Sequence, residues 1–246
     1  MKFKLKAAVV GAVTAVAALS ANATIATVFN SISAGTTSFV STVNGAGAIA
    51  ASDQLMDLAG GTSISRGVTA TSPNAYTISK PGGGSLSPTT YGSMTGEALN
   101  ISPAGSGTNP IGYRNSGIQF NFTSAINSIG FEVGDWGTCC QPSALYISFN
   151  NGTPIQVGNS LTFGDVFFDE LAEVFVAAFD DSSTFQNVQF WGDGVGEFLV
   201  AGGTIRYATL DQGSLPGTVP EPGTAALLGL ALLAAGVSRR RAKAGR

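Results

Sequence analysis

Apolar side chains recur at every second position along the middle of this chain. Ile118, Phe120 and Phe122 do so in GIQFNFT, Ile129, Phe131 and Val133 in SIGFEVGDW, and Leu145, Ile147 and Phe149 in ALYISF. Successive strand side chains point to opposite faces, so this spacing buries one face of a sheet and does not suit a helix. Asn151-Gly152 follows the third stretch and signals a hairpin, because both residue types tolerate positive φ. VFVAAF, from Val174 to Phe179, is apolar on both faces and fits a buried central strand, although periodicity alone leaves a short buried helix open. Asp180 to Ser183 make a polar turn, FQNVQFW resumes the extended pattern, and EFLV and TIRYATL read as two last strands joined or bulged at Gly202-Gly203. Short strands separated by Gly, Asn and Asp turns predict an all-β fold, a single jelly-roll-like β-sandwich.

The first third carries less pattern. TSFVSTVN is strand-like, SDQLMDLAGG fits a short helix with Ser52 as N-cap and Gly60 just past its end, and YTIS is a brief strand. Lys80 to Pro110 is loop-rich, and no repeat of fixed period is present, so one domain with long loops is expected.

Charge is confined to a few places. Eight of the 12 basic residues lie in the two tails, while Thr24 to Val219 holds four basic residues against fourteen acidic ones, a net of −10. Phosphate backbones require a basic footprint, so nucleic acid is excluded as a partner. The N-terminus has Lys2, Lys4 and Lys6, then an apolar run from Ala7 to Leu19, then Ala21 and Ala23 in an A-x-A arrangement. That is the form of an export signal, a signal helix over 1–23 cut after Ala23 by signal peptidase. Outside the cytoplasm thiols tend to oxidise. Cys139 and Cys140 are adjacent, and vicinal bridging, intermolecular pairing and two free thiols all remain open.

The absence of histidine removes triad hydrolases, imidazole bases and H-E-x-x-H sites. Glycoside hydrolysis needs only two carboxylates, which Asp193 with Glu197, or Asp169 with Glu170, would supply. Calcium takes oxygen ligands, and Asp180, Asp181 and Asp193 lie in turns, but no twelve-residue calcium loop is present. No cofactor and no metal site is expected. Trp136 and Trp191 each end a strand beside glycine, where an indole either stacks on a sugar ring or caps the end of the core.

The C-terminus combines Pro220-Glu221-Pro222, an apolar run from Ala225 to Val237, and Arg239-Arg240-Arg241. The run is shorter than the roughly 20 residues that comfortably span a bilayer, and the arginines after it should stay cytoplasmic. This tripartite order resembles the PEP-CTERM sorting signal of Gram-negative bacteria. The resemblance implies processing by an exosortase, transient retention in the inner membrane, removal of the tail near the motif and delivery to the cell surface or extracellular matrix. The body, in SGIQFNF, INSIGFEVGDWG, LYISFNNGTPIQVG and DSSTFQNVQFWGDGVGEF, is similar to the ectodomains of exosortase-dependent surface proteins, which implies a jelly-roll sandwich and no enzymatic activity.

The expected organisation is a signal peptide at 1–23, a sandwich ectodomain at 24–215 and a sorting segment at 216–246. That segment holds the motif at 220–222, an apolar helix at 224–238 and a basic tail at 239–246. The expected role is a non-enzymatic exported protein associated with exopolysaccharide or biofilm. A carbohydrate-binding module with a defined sugar site and a carboxylate-dependent glycosidase are the alternatives.

Overall fold

The inward-facing positions of the alternating stretches meet in one core. Ile118, Phe120 and Phe122, Ile129, Phe131 and Val133, and Leu145 and Ile147 all belong to a single buried cluster, with Phe149 packed at its margin. The computed structural model describes residues 24–101, 114–137, 142–161, 172–193 and 199–215, except for the side chain of Asp193. The predicted N-terminal signal helix and C-terminal apolar helix fall outside these residues. Among the described residues no helix is long and apolar enough to cross a membrane.

The elements in chain order are β1 (Ile25–Phe29), α1 (Ile32–Gly45), β2 (Ala51–Gln54), β3 (Ser63–Arg66), β4 (Tyr76–Ser79), β5 (Pro88–Thr89), β6 (Ala98–Ile101), β7 (Ile118–Ile126), β8 (Ser128–Gly134), β9 (Ser143–Phe149), β10 (Ile155–Ser160), β11 (Val174–Phe179), β12 (Phe185–Asp193) and β13 (Leu199–Ala208). They form two antiparallel sheets facing each other as a sandwich. One runs β1-β11-β8-β13-β6-β5 with β2 added on β13, and the other runs β10-β9-β12-β7-β4-β3. Consecutive strands often lie in different sheets. The chain changes sheet at Asn127, whose amide accepts from Leu210 N at 2.6 Å and donates to Leu210 O at 2.9 Å.

Aromatic rings tie the layers together. Phe131 of the first sheet meets Phe190 of the second edge-on at 4.9 Å and Phe120 at 5.6 Å. Near one end Tyr207 meets Phe122 at 5.1 Å, and its hydroxyl exchanges hydrogen bonds with Ser72 and Asn74. Pairs of this kind add about 0.5–1.5 kcal/mol each to the burial of their area.

Two expectations are corrected. Thr37 to Asn44 is not a strand but part of α1. Ser31 caps that helix by accepting from Ala34 N at 3.1 Å, and Phe39 and Val43, one turn apart, bury against Phe175, Ala177 and Phe179 on the outer face of the first sheet. The expected helix after Ser52 is instead β2, whose Ala51 to Gln54 pair with Tyr207 to Thr204. The loop-rich stretch after Lys80 carries the short β5 and β6. EFLV and TIRYATL are joined at Gly202-Gly203 as expected: Leu199–Ala208 is one strand, bent there (φ 147° and 66°), and its register against β8 shifts between Gly202 and Arg206. The bend makes room for Glu132, with which a Cβ at Gly203 would collide. Glu132 is fully buried there, accepting from Thr95 N at 2.7 Å and Thr204 N at 3.3 Å, with Arg206 at 3.5 Å. The hairpin between β9 and β10 forms where expected, but positive φ falls on Asn150 and Asn151 (48° and 59°), and Gly152 N closes the turn on Phe149 O.

Candidate functional site

Because β7, β9 and β12 turn their apolar residues inward, their alternate residues form the outer face of the second sheet. These are Gln119 and Asn121 on β7, Tyr146 and Ser148 on β9, and Asn187, Gln189 and Trp191 on β12. Register sets them in rows: Gln189 lies between Gln119 and Ser148, Asn187 opposite Asn121, and Trp191 opposite Tyr146. Gln189 Nε2 donates to Gln119 Oε1 at 2.6 Å and Asn151 Oδ1 at 2.9 Å. Gln119 Nε2 and Asn187 Nδ2 both donate to Asn121 Oδ1, at 2.9 and 2.8 Å. Thr77 and Ser79 of β4 extend the rows beside Asn121 and Gln119, and the exposed Ser63 and Ser65 of β3 end them.

Arg114 fixes one side of this band. Its Nε donates to Gln189 Oε1, and its Nη2 donates to Ser148 Oγ at 2.5 Å and Gly152 O at 3.0 Å. The guanidinium stands 5.4 Å from the centre of the Trp191 ring, which stacks in turn on Tyr146 at 5.8 Å. Rows about 4.8 Å apart across the strands let these amides and hydroxyls satisfy one another. Ser148 and Gln189 are 0% and 4% exposed, and the groups that reach solvent are the half-buried Gln119, Asn121, Asn187, Thr77 and Ser79 and the exposed Ser63 and Ser65.

The two candidate sugar-stacking tryptophans are not brought together. Trp136 follows β8, belongs to the main core, and donates from Nε1 to Ser143 Oγ at 3.1 Å. Trp191 lies in a small cluster with Ala144 and Tyr146. Both indoles are 0% exposed, so neither offers a ring face to solvent. The sequence carried a signal for the polar rows, since Gln119, Asn121, Asn187 and Gln189 alternate with the core residues of IQFNF and FQNVQFW.

Asp180 and Asp181 leave β11 together, and among the described residues no group of three or more His, Cys, Asp or Glu converges as a metal site. Asp180 is held below the usual carboxylate range: burial pushes it up, and hydrogen bonds from Ser182, Ser183 and Thr24 outweigh burial. Ala21, Ala23, Cys139, Cys140, Asp169, Glu170, Glu197, Pro220, Glu221, Pro222, Arg239, Arg240 and Arg241 lie outside the described residues.

Residues 218–241 match the family model of the PEP-CTERM protein-sorting motif. The chain carries a PEP-CTERM sorting motif. The match takes in Pro220-Glu221-Pro222, the apolar run and Arg239 to Arg241. A PEP-CTERM motif implies export, processing by an exosortase, and a membrane-anchored C-terminal signal on the way to the surface. No curated protein matches the chain.

Proposed function

We propose that this is an exported, non-enzymatic protein of the cell surface or extracellular matrix, cut by signal peptidase at its N-terminus and by an exosortase at its C-terminus. The PEP-CTERM match at 218–241 carries the reading. In it the tail holds the protein briefly in the inner membrane, and the released body, a jelly-roll-like sandwich, works as material in a polysaccharide-rich layer. The uncharged groups of the second sheet's outer face that reach solvent, the exposed Ser63 and Ser65 with the half-buried Thr77, Ser79, Gln119, Asn121 and Asn187, support this partner. In a body of net −10 that face repels neither neutral glycan nor the acidic surface of a second copy. The same face supports the alternative of a carbohydrate-binding module with a defined sugar site.

Fractionation of cells producing the wild-type chain and the Glu221→Ala variant tests delivery. Wild-type protein is expected at the surface or in the medium, and the variant is expected to accumulate in the inner membrane. Equal distribution of both in the soluble cytoplasm would overturn the reading. Co-sedimentation of the released protein with neutral matrix polysaccharide then tests the partner. Saturable binding to a single oligosaccharide favours the module, and weak binding along many polymers favours a matrix component.

A further inference from the structure

Asp180 and Asp181 are 7% and 6% exposed and adjacent. Two neighbouring carboxylates removed from water call for a cation, yet the ion pairs among the described residues, Arg66 with Asp53 and Arg206 with Glu132, lie elsewhere. Hydrogen bonds compensate in part. Asp180 accepts from Ser182 N and Oγ at 2.9 and 2.6 Å and from Ser183 N and Oγ at 3.0 and 2.6 Å. Asp181 accepts from Leu215 N at 2.8 Å. One further donor comes from another strand: the Thr24 hydroxyl lies 2.9 Å from Asp180 Oδ2. Register explains its position, because Ile25 pairs with Phe179 and so sets Thr24 opposite Asp180.

We propose that removal of the signal peptide turns the main-chain nitrogen of Thr24 into an ammonium that the Asp180 carboxylate captures, so that export completes the ion pair fastening β1 to the sandwich. The inference rests on the reading that cleavage falls after Ala23. Water adds across the Ala23–Thr24 peptide bond, leaving a carboxylate on Ala23 and an amine on Thr24 that takes up a proton at neutral pH. The Thr24 nitrogen and hydroxyl are joined through Cα and Cβ and stay roughly 3–4 Å apart in every staggered rotamer. The hydroxyl touches Asp180, so the new charge arises beside the carboxylate. Before cleavage the same nitrogen is a neutral amide.

β1 is where such a fastening has effect. It is an edge strand paired with β11, and Ile25 at its start is 41% exposed, so its end is prone to fray. The other titratable groups near the ammonium among the described residues are Asp181 and, in the turn packed against Asp181, Asp211. Both are acidic and add to the attraction.

The test uses the processed protein recovered from outside the cell. N-terminal sequencing comes first, and any start other than Thr24 overturns the cleavage reading and this inference with it. With Thr24 confirmed, the α-amino group is acetylated once, the product is verified by mass, and thermal unfolding is compared. Acetylation is expected to lower Tm by roughly 2–4 °C in the wild type and by less than half of that in Asp180→Asn. A second readout needs no variant. The α-amino pKa is expected above its ordinary value of roughly 8, and the Tm difference should vanish once pH exceeds that raised value. An unchanged Tm on acetylation, or an ordinary α-amino pKa with Thr24 at the terminus, would overturn the inference while leaving the cleavage reading intact.

Discussion

Single residues decide where this sandwich departs from regular sheet. Gly203 sits at φ 66°, a conformation glycine adopts without penalty, and any side chain there would strike Glu132. Gly203→Ala is therefore expected to cost about 2–3 kcal/mol of stability, measured as a lower urea midpoint at unchanged slope. The Gly-Gly pair was visible in the sequence as a bulge, because glycine in a strand marks one. Asp53 was not visible. It lies in a stretch that reads locally as a helix start, and only the fold brings Arg66 (2.8 Å, through both Nε and Nη2) and the Tyr76 hydroxyl (2.7 Å) onto it. Burial pushes the Asp53 carboxyl up, but hydrogen bonds from Arg66 and Tyr76 and the charge of Arg66 pull it further down, so its net position is below the ordinary value of 3.8. A depressed carboxylate stabilises the fold above its unfolded pKa and loses that contribution as pH falls through the folded value. Wild-type stability should thus decline below about pH 4, and Asp53→Asn should flatten the decline. Equal slopes in acid titrations followed by circular dichroism would count against this assignment.

At the scale of elements, strands were legible and the helix was not. Period two identifies β7, β8, β9 and β12 because each turns its alternating apolar side chains to the shared core, although β8 is buried along its whole length, with Ser128, Gly130 and Glu132 on its other face. VFVAAF is apolar on both faces because α1 covers the outer face of its sheet. ISAGTTSFVSTVNG is rich in β-branched and small residues with weak helical preference. Tertiary packing decides its conformation: Phe39 lies 5.1 Å from Phe179 and 6.3 Å from Phe175, and Gly35 lets the helix backbone approach Phe175. Phe39→Ala should destabilise the protein by about 3–5 kcal/mol, and Ser31→Ala, which removes the cap, by about 1 kcal/mol. Chemical denaturation of the two variants checks both values. A smaller loss for Phe39→Ala than for Ser31→Ala would show that the helix does not depend on its seat against the sheet.

For the whole molecule, composition and the two ends spoke of destination, and the alternation spoke of architecture. The candidate face was half legible: its polar residues stand in the sequence, but their alignment across three strands is set by registers such as Gln189 with Gln119 and Asn187 with Asn121. Because the described side chains of that face carry no formal charge apart from Arg114 at its side, binding of neutral polysaccharide should change little between about 0.05 and 0.5 M salt. It should weaken several-fold in Asn121→Asp. Strongly salt-dependent binding, read by co-sedimentation, would point to another surface. The delivery reading comes down to the mass of the polypeptide recovered from outside the cell. The expected mass is that of a chain beginning at Thr24 and lacking Arg239, Arg240 and Arg241. A full-length mass with the arginine tail in place would contradict it.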